Sequence, residues 1–177
     1  MRLPFPLNLR VGTDIIATNR ILCPIKPDQK RLLQLTKRYL HPSEIHILNQ
    51  RFPSWASSAS LTGLQIRQLS GWLAGRWAAK EAAKKAWGAT LLSFKELKVE
   101  PESGGAVLMV CDVGGHDSIE SSSVISDKVT EQVAQLSISH DGDYTVATVI
   151  ATPLHDDIMA KLRARKALAE ARVSGLE

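Results

Sequence analysis

Cysteine is nearly absent from this 177-residue chain: Cys23 and Cys111 stand far apart, with no CxxC or Cys/His spacing around either. That excludes a disulfide framework and a thiolate zinc site, and the two thiols are expected to be reduced side chains of an intracellular protein. Aromatic residues make up only 5% of the chain and no basic stripe interleaves with them, which argues against a nucleic-acid-binding domain. No apolar run approaches the roughly 20 residues that cross a bilayer, and Met1 to Asn8 holds no secretory hydrophobic region, so no membrane partner is expected. Walker A and GxGxxG loops are missing too, and Gly71-Trp72-Leu73-Ala74-Gly75 is neither. Phosphate binding by a glycine loop therefore has no support.

What remains is a chain with 44% hydrophobic residues, enough for one core of ordinary size, and a net charge of +4 that suits an anionic partner without identifying it. Leu9 to Ile16 alternates and is rich in β-branched residues, which predicts a strand with Leu9, Val11, Thr13 and Ile15 on one face and Asp14 on the other. A helix capped by Asp28 is expected to run to about Tyr39, and another to start at His41-Pro42-Ser43-Glu44. Arg51 to Leu61 reads as a loop. From Leu64 to Trp87 the chain is alanine-rich and proline-free, predicting a long helix. Its wheel places Trp72, Gly75, Ala78, Ala79, Ala82, Ala83 and Ala86 on one side and Arg76, Lys80, Glu81, Lys84 and Lys85 on the other.

Two strands are predicted at Phe94 to Glu100 and Gly105 to Asp112. Two more, Val133 to Ser139 and Tyr144 to Thr152, flank the turn at Asp141-Gly142 and belong at the sheet centre. The pattern implies an α+β fold in which an antiparallel sheet packs around a long central helix. One domain is expected over residues 1–152, with 113–130 as a flexible insertion and 153–177 as a charged helical tail.

Three places hold chemistry. On the long helix, Glu81 and Lys85 are four residues apart; such a pair is an ordinary surface ion pair unless something nearby uses it. Asp14, an acid in an otherwise apolar strand, must be paired, exposed or coordinating. With the strand beside the helix, Asp14 and Glu81 would give magnesium two oxygens, and Arg76, Lys80, Lys84 and Lys85 would neutralise a polyphosphate. His140, where a strand enters a tight turn, either shapes that turn or serves as phosphate ligand or proton acceptor.

Four segments in this order resemble the holo-acyl-carrier-protein synthases of the phosphopantetheinyl transferase superfamily. They are Val11-Gly12-Thr13-Asp14-Ile15-Ile16 with Arg20-Ile21, then Leu40-His41-Pro42-Ser43-Glu44, then Arg76-Trp77-Ala78-Ala79-Lys80-Glu81-Ala82 with Lys85, and Ser137-Ile138-Ser139-His140-Asp141. The resemblance covers about Leu9 to Thr152. It implies magnesium ligands at Asp14 and Glu81, a pyrophosphate contact at Lys85, and a coenzyme A site lined by Arg76, Lys80 and His140. It also implies transfer of phosphopantetheine from coenzyme A to a serine of an acidic apo acyl carrier protein, with release of 3′,5′-ADP, in fatty acid biosynthesis. Glu81, a metal-bound water and His140 are the candidate bases. Arg31, Lys37 and Arg38 are candidates for the carrier-docking face.

Members of this short type form homotrimers with active sites between subunits, and the expected location is the cytoplasm or mitochondrial matrix. Two residues depart from the family pattern. Ala17 replaces a common glutamate, and His41 replaces a serine or threonine cap. Ala17 is the one feature favouring the alternative, a catalytically silent module that binds coenzyme A or a carrier.

Overall fold

Strand β1 (Arg10–Ala17) forms where the alternation predicts it, but the predicted apolar face of Val11, Thr13 and Ile15 does not face the core, whereas Ile16 does. Val11, Thr13 and Ile15 point to the open side of the sheet, while Gly12, Asp14 and Ile16 lie under a helix. These positions come from a computed structural model that describes residues 7–22, 29–53, 55–56, 61–88, 90–114 and 128–174. The predicted cap Asp28 and most of the 113–130 insertion lie outside the described residues.

The helix over β1 is α4 (Gly63–Trp87), which follows α1 (Asn19–Leu22), α2 (Gln29–Tyr39) and α3 (Pro42–Arg51). Its start is a capping box: Thr62 Oγ1 accepts from the Gln65 N–H and Gln65 returns to the Thr62 N–H at 2.8 Å. Its end is Gly88 at φ +61°, a left-handed conformation that favours glycine. Arg10 of β1 donates to the last-turn carbonyl of Trp87 at 3.2 Å, tying strand to helix. Ala78, Ala79, Ala82, Ala83 and Ala86 are all buried, and with so little side chain between them the two backbones come very close. A Cβ at position 12 would sit 2.0 Å from the Ala82 carbonyl oxygen and 2.5 Å from the Ala86 nitrogen, so only glycine fits there.

After α4 come β2 (Leu97–Pro101), β3 (Val107–Asp112), β4 (Glu131–Asp141), β5 (Tyr144–Ala151) and α5 (Asp156–Ser174). The five strands form one antiparallel sheet in the order β1-β5-β4-β3-β2, so the fold is α+β and the hairpin strands β4 and β5 lie inside the sheet, as expected. Asp14 pairs with Ala147, and Ala147 with Ile138. His140 lies two residues beyond Ile138, on the same helix-facing side.

Two expectations are corrected, and a third is made specific. Phe94–Glu96 is a 3-10 turn rather than the start of a strand, because Glu96 bonds back to the Ser93 N–H at 2.7 Å. The polar side of α4 is not one exposed face, since α2, α3 and this turn pack over part of it and bury Lys80 completely. The charged tail helix α5 packs through its sparse apolar stripe: Ile158 and Leu162 are buried in the core, whereas Leu168 is exposed.

The core also explains the two thiols in part. Cys111 is free and buried, and burial pushes its pKa up to about 12, which leaves it unreactive. Cys23 lies outside the described residues.

Candidate active site

The close approach at Gly12 carries Asp14 to the flank of α4. There the Lys85 ammonium donates to Asp14 Oδ1 at 2.8 Å and to the Thr13 carbonyl at 2.9 Å. Asp14 is mostly covered and Lys85 half exposed, so the pair opens to solvent on the lysine side. Glu81 precedes Lys85 by one helical turn and shares its flank. The donor set suits magnesium. Asp14 on the strand and Glu81 on the helix would be its two carboxylates, with Lys85 paired to the first of them. Among the described residues no group of three or more His, Cys, Asp and Glu side chains forms a metal cage. A two-carboxylate site that takes its other ligands from water and phosphate is the arrangement magnesium prefers.

The other predicted residues lie elsewhere. Arg76 and His140 line a cleft of about 1110 Å³, together with Arg51, Phe52, Arg67 and Trp72, and this cleft does not include Asp14, Glu81 or Lys85. His140 Nδ1 is 2.8 Å from Thr145 Oγ1, and its Cε1 packs beside Gly75. Between the two halves, Arg76 precedes Glu81 along α4 by five residues and Lys85 by nine, about 7.5 Å and about 13.5 Å along the axis.

Lys80 joins neither half, contrary to its predicted place in the coenzyme site. Its ammonium donates to the Tyr39 carbonyl at 2.7 Å, the Phe94 carbonyl at 3.1 Å and the Glu44 carboxylate. Glu44, also fully buried, accepts from the Val99 N–H at 3.0 Å and the His41 N–H at 2.9 Å. Burial pulls the Lys80 pKa down while Glu44 holds it up. Lys84 sits 4.8 Å from the Phe94 ring, about 100° around the helix from Lys85. Sequence reasoning missed Glu44 beyond its helix-start role and missed the cleft residues Arg51, Arg67 and Trp72. The spacing of Trp72 and Arg76, one turn apart, is the signal that points to the last of these.

The chain matches the family described as the 4′-phosphopantetheinyl transferase superfamily over residues 10–149. It is 40% identical over 159 residues to 4′-phosphopantetheinyl transferase B, mitochondrial, of Aspergillus fumigatus, covering 84% of this chain and 97% of that one. With a holo-acyl-carrier-protein synthase of Streptococcus thermophilus it shares 32% identity over 128 residues, covering 71% of this chain and 83% of the relative. Among solved structures, a Bacillus anthracis holo-acyl-carrier-protein synthase in complex with CoA (3′,5′-ADP) superposes with a TM-score of 0.51 at 27% identity. That match covers 82% of this chain and 96% of the other. Helix α5 lies beyond the matched segment. Sequence match, relatives and fold agree with the motifs on β1, α3, α4 and β4, and the chain belongs to the 4′-phosphopantetheinyl transferase superfamily, a family of transferases.

Proposed function

We propose that this protein is a magnesium-dependent holo-acyl-carrier-protein synthase that moves phosphopantetheine from coenzyme A to a serine of an acidic apo acyl carrier protein for fatty acid biosynthesis. The observation that carries this reading is the junction of β1 and α4, where Asp14 meets Lys85 with Glu81 one turn away. Asp14 and Glu81 would hold the metal, which supplies charge neutralisation on the pyrophosphate. Lys85 binds the same pyrophosphate as a point charge. The serine oxygen attacks the β-phosphorus in line; its bond to phosphorus forms as the bridging bond breaks, and 3′,5′-ADP departs. Glu81 or His140 takes the serine proton. Most of the rate comes from positioning and charge stabilisation, as in phosphoryl transfer generally.

Arg76 and His140 bind coenzyme A in the cleft. Their separation from Asp14 along α4 supports a site completed by a second subunit, and we assign a homotrimer. The open sheet face, with Val11, Ile15, Val133 and Ile150 exposed on neighbouring strands, is the surface such an assembly would cover. Arg31, Lys37 and Arg38, all exposed on α2, offer the acidic carrier a basic face. A matrix location is supported by the mitochondrial name of the Aspergillus relative, and among the described residues no helix is long and apolar enough to cross a membrane.

The test is mass spectrometry of an apo carrier incubated with coenzyme A, magnesium and either the wild type or Asp14→Ala. The wild type adds one phosphopantetheine, and the variant loses at least about 100-fold in rate while keeping its thermal midpoint. Near-normal turnover by Asp14→Ala rejects the metal assignment; wild-type protein that binds coenzyme A without transfer supports the silent module.

A further inference from the structure

Arg76 is a largely buried cation that meets no counter-ion among the described residues, and its Nε has no hydrogen-bond partner there. Glu44, whose field reaches it, is already committed to Lys80, Val99 and His41. Asp143 lines the same cleft without pairing with it. Burial lowers the guanidinium pKa to about 10, against the opposing pull of Glu44. A mostly buried charge without a counter-ion is unfavourable, and an anion entering the cleft would relieve it.

The partner Arg76 does have is an aromatic face. Its guanidinium carbon lies 3.5 Å from the centroid of the Trp72 ring, one turn earlier on α4. Trp72 meets Phe52 edge to face at 6.3 Å and 71°, and Arg51 stands 5.8 Å over Phe52. The cleft wall is thus a stack in the order Arg51, Phe52, Trp72, Arg76. A guanidinium laid on a ring keeps a fixed plane, and its donors point outward from the edge of that plane.

We propose that Trp72 is a positioning residue for coenzyme binding: its indole face holds the Arg76 guanidinium flat on the cleft wall, so that the fork meets a phosphate of coenzyme A. This rests on the reading that Arg76 binds coenzyme A, and it adds a residue that acts only through Arg76. What matters at position 72 is then a ring face rather than bulk.

The experiment measures coenzyme A affinity by calorimetry, and KM and kcat by transfer to an apo carrier, for W72F, W72M, R76Q and W72M/R76Q. W72M keeps a long apolar side chain and removes the ring. The expected result is that R76Q and W72M each weaken coenzyme binding about tenfold, appearing in KM rather than kcat, with W72F, which keeps a weaker ring, raising Kd only a few-fold. In the R76Q background the second change adds less than about twofold. Wild-type affinity in W72M, or full additivity with R76Q, overturns the proposal. Wild-type affinity in R76Q overturns the coenzyme assignment itself, and the role of Trp72 with it. Thermal midpoints identify a W72M protein that fails to fold. W72F then decides: its weaker ring raises Kd a few-fold in the wild-type background and not with R76Q, and equal effects in both overturn the proposal.

Discussion

Gly12 has space for a hydrogen and nothing larger, and that sets where Asp14 stands. In Gly12→Ala the new methyl must push β1 off the backbone of α4 at Ala82 and Ala86. We expect a loss of about 1–3 kcal/mol, measured by denaturant unfolding, with a fall in transfer rate as Asp14 withdraws from Lys85. Lys80 carries a different lesson. Lys80→Met leaves the Glu44 carboxylate buried and uncompensated, which costs about 3–5 kcal/mol in the same assay. Removing both charges in Lys80→Met/Glu44→Leu should not restore stability, since the Val99 and His41 N–H groups also lose their acceptor. The sequence made Asp14 and Lys85 legible because an acid in an apolar strand and a cation at helical spacing each need a partner. It hid Lys80, because a helical wheel groups Lys80 with Lys84 and Arg76 and knows nothing of the α2, α3 and Phe94 turn that close over them. Trp72 was hidden for a related reason, being grouped with the alanines although it stacks on Arg76.

At the scale of elements, the long helix and the β4–β5 hairpin were readable from alanine content and from Asp141-Gly142, both local signals. Strand order was not, because it depends on which edges meet. The far edge of the sheet carries a charge network that links elements distant in sequence: Lys98 on β2 bonds Asp112 on β3 at 3.1 Å and Glu131 on β4 at 2.8 Å. Burial raises the Asp112 pKa, but the Gly114 N–H and Lys98 outweigh it and hold the net value below the usual carboxylate range. A depressed carboxyl pKa stabilises the fold above the unfolded value near about pH 4, and the contribution disappears as pH falls through the folded value. Thermal midpoints of Asp112→Asn should therefore fall below wild type at neutral pH and converge with it on acidification; a constant gap would place the stabilisation elsewhere.

For the whole molecule, the open sheet face and the divided site make one demand. Ile15→Asp puts a charge on the apolar surface of β1 without touching the core, since Ile15 is 60% exposed. On the proposed trimer, light scattering should show a larger wild-type species and a monomeric variant, with transfer lost and the fold kept. An active wild-type monomer would show that one chain suffices. The chain also has a practical opening at its other end. Val113 and Thr130 are joined by a 2.9 Å backbone hydrogen bond, and α5 grips both sides of this neck through Arg165 on the Val113 carbonyl and Asp157 on the Val129 N–H. Loop closure grows more costly only slowly with length. A fluorescent reporter or affinity handle spliced between Gly114 and Lys128 would hang from a stem already stitched shut.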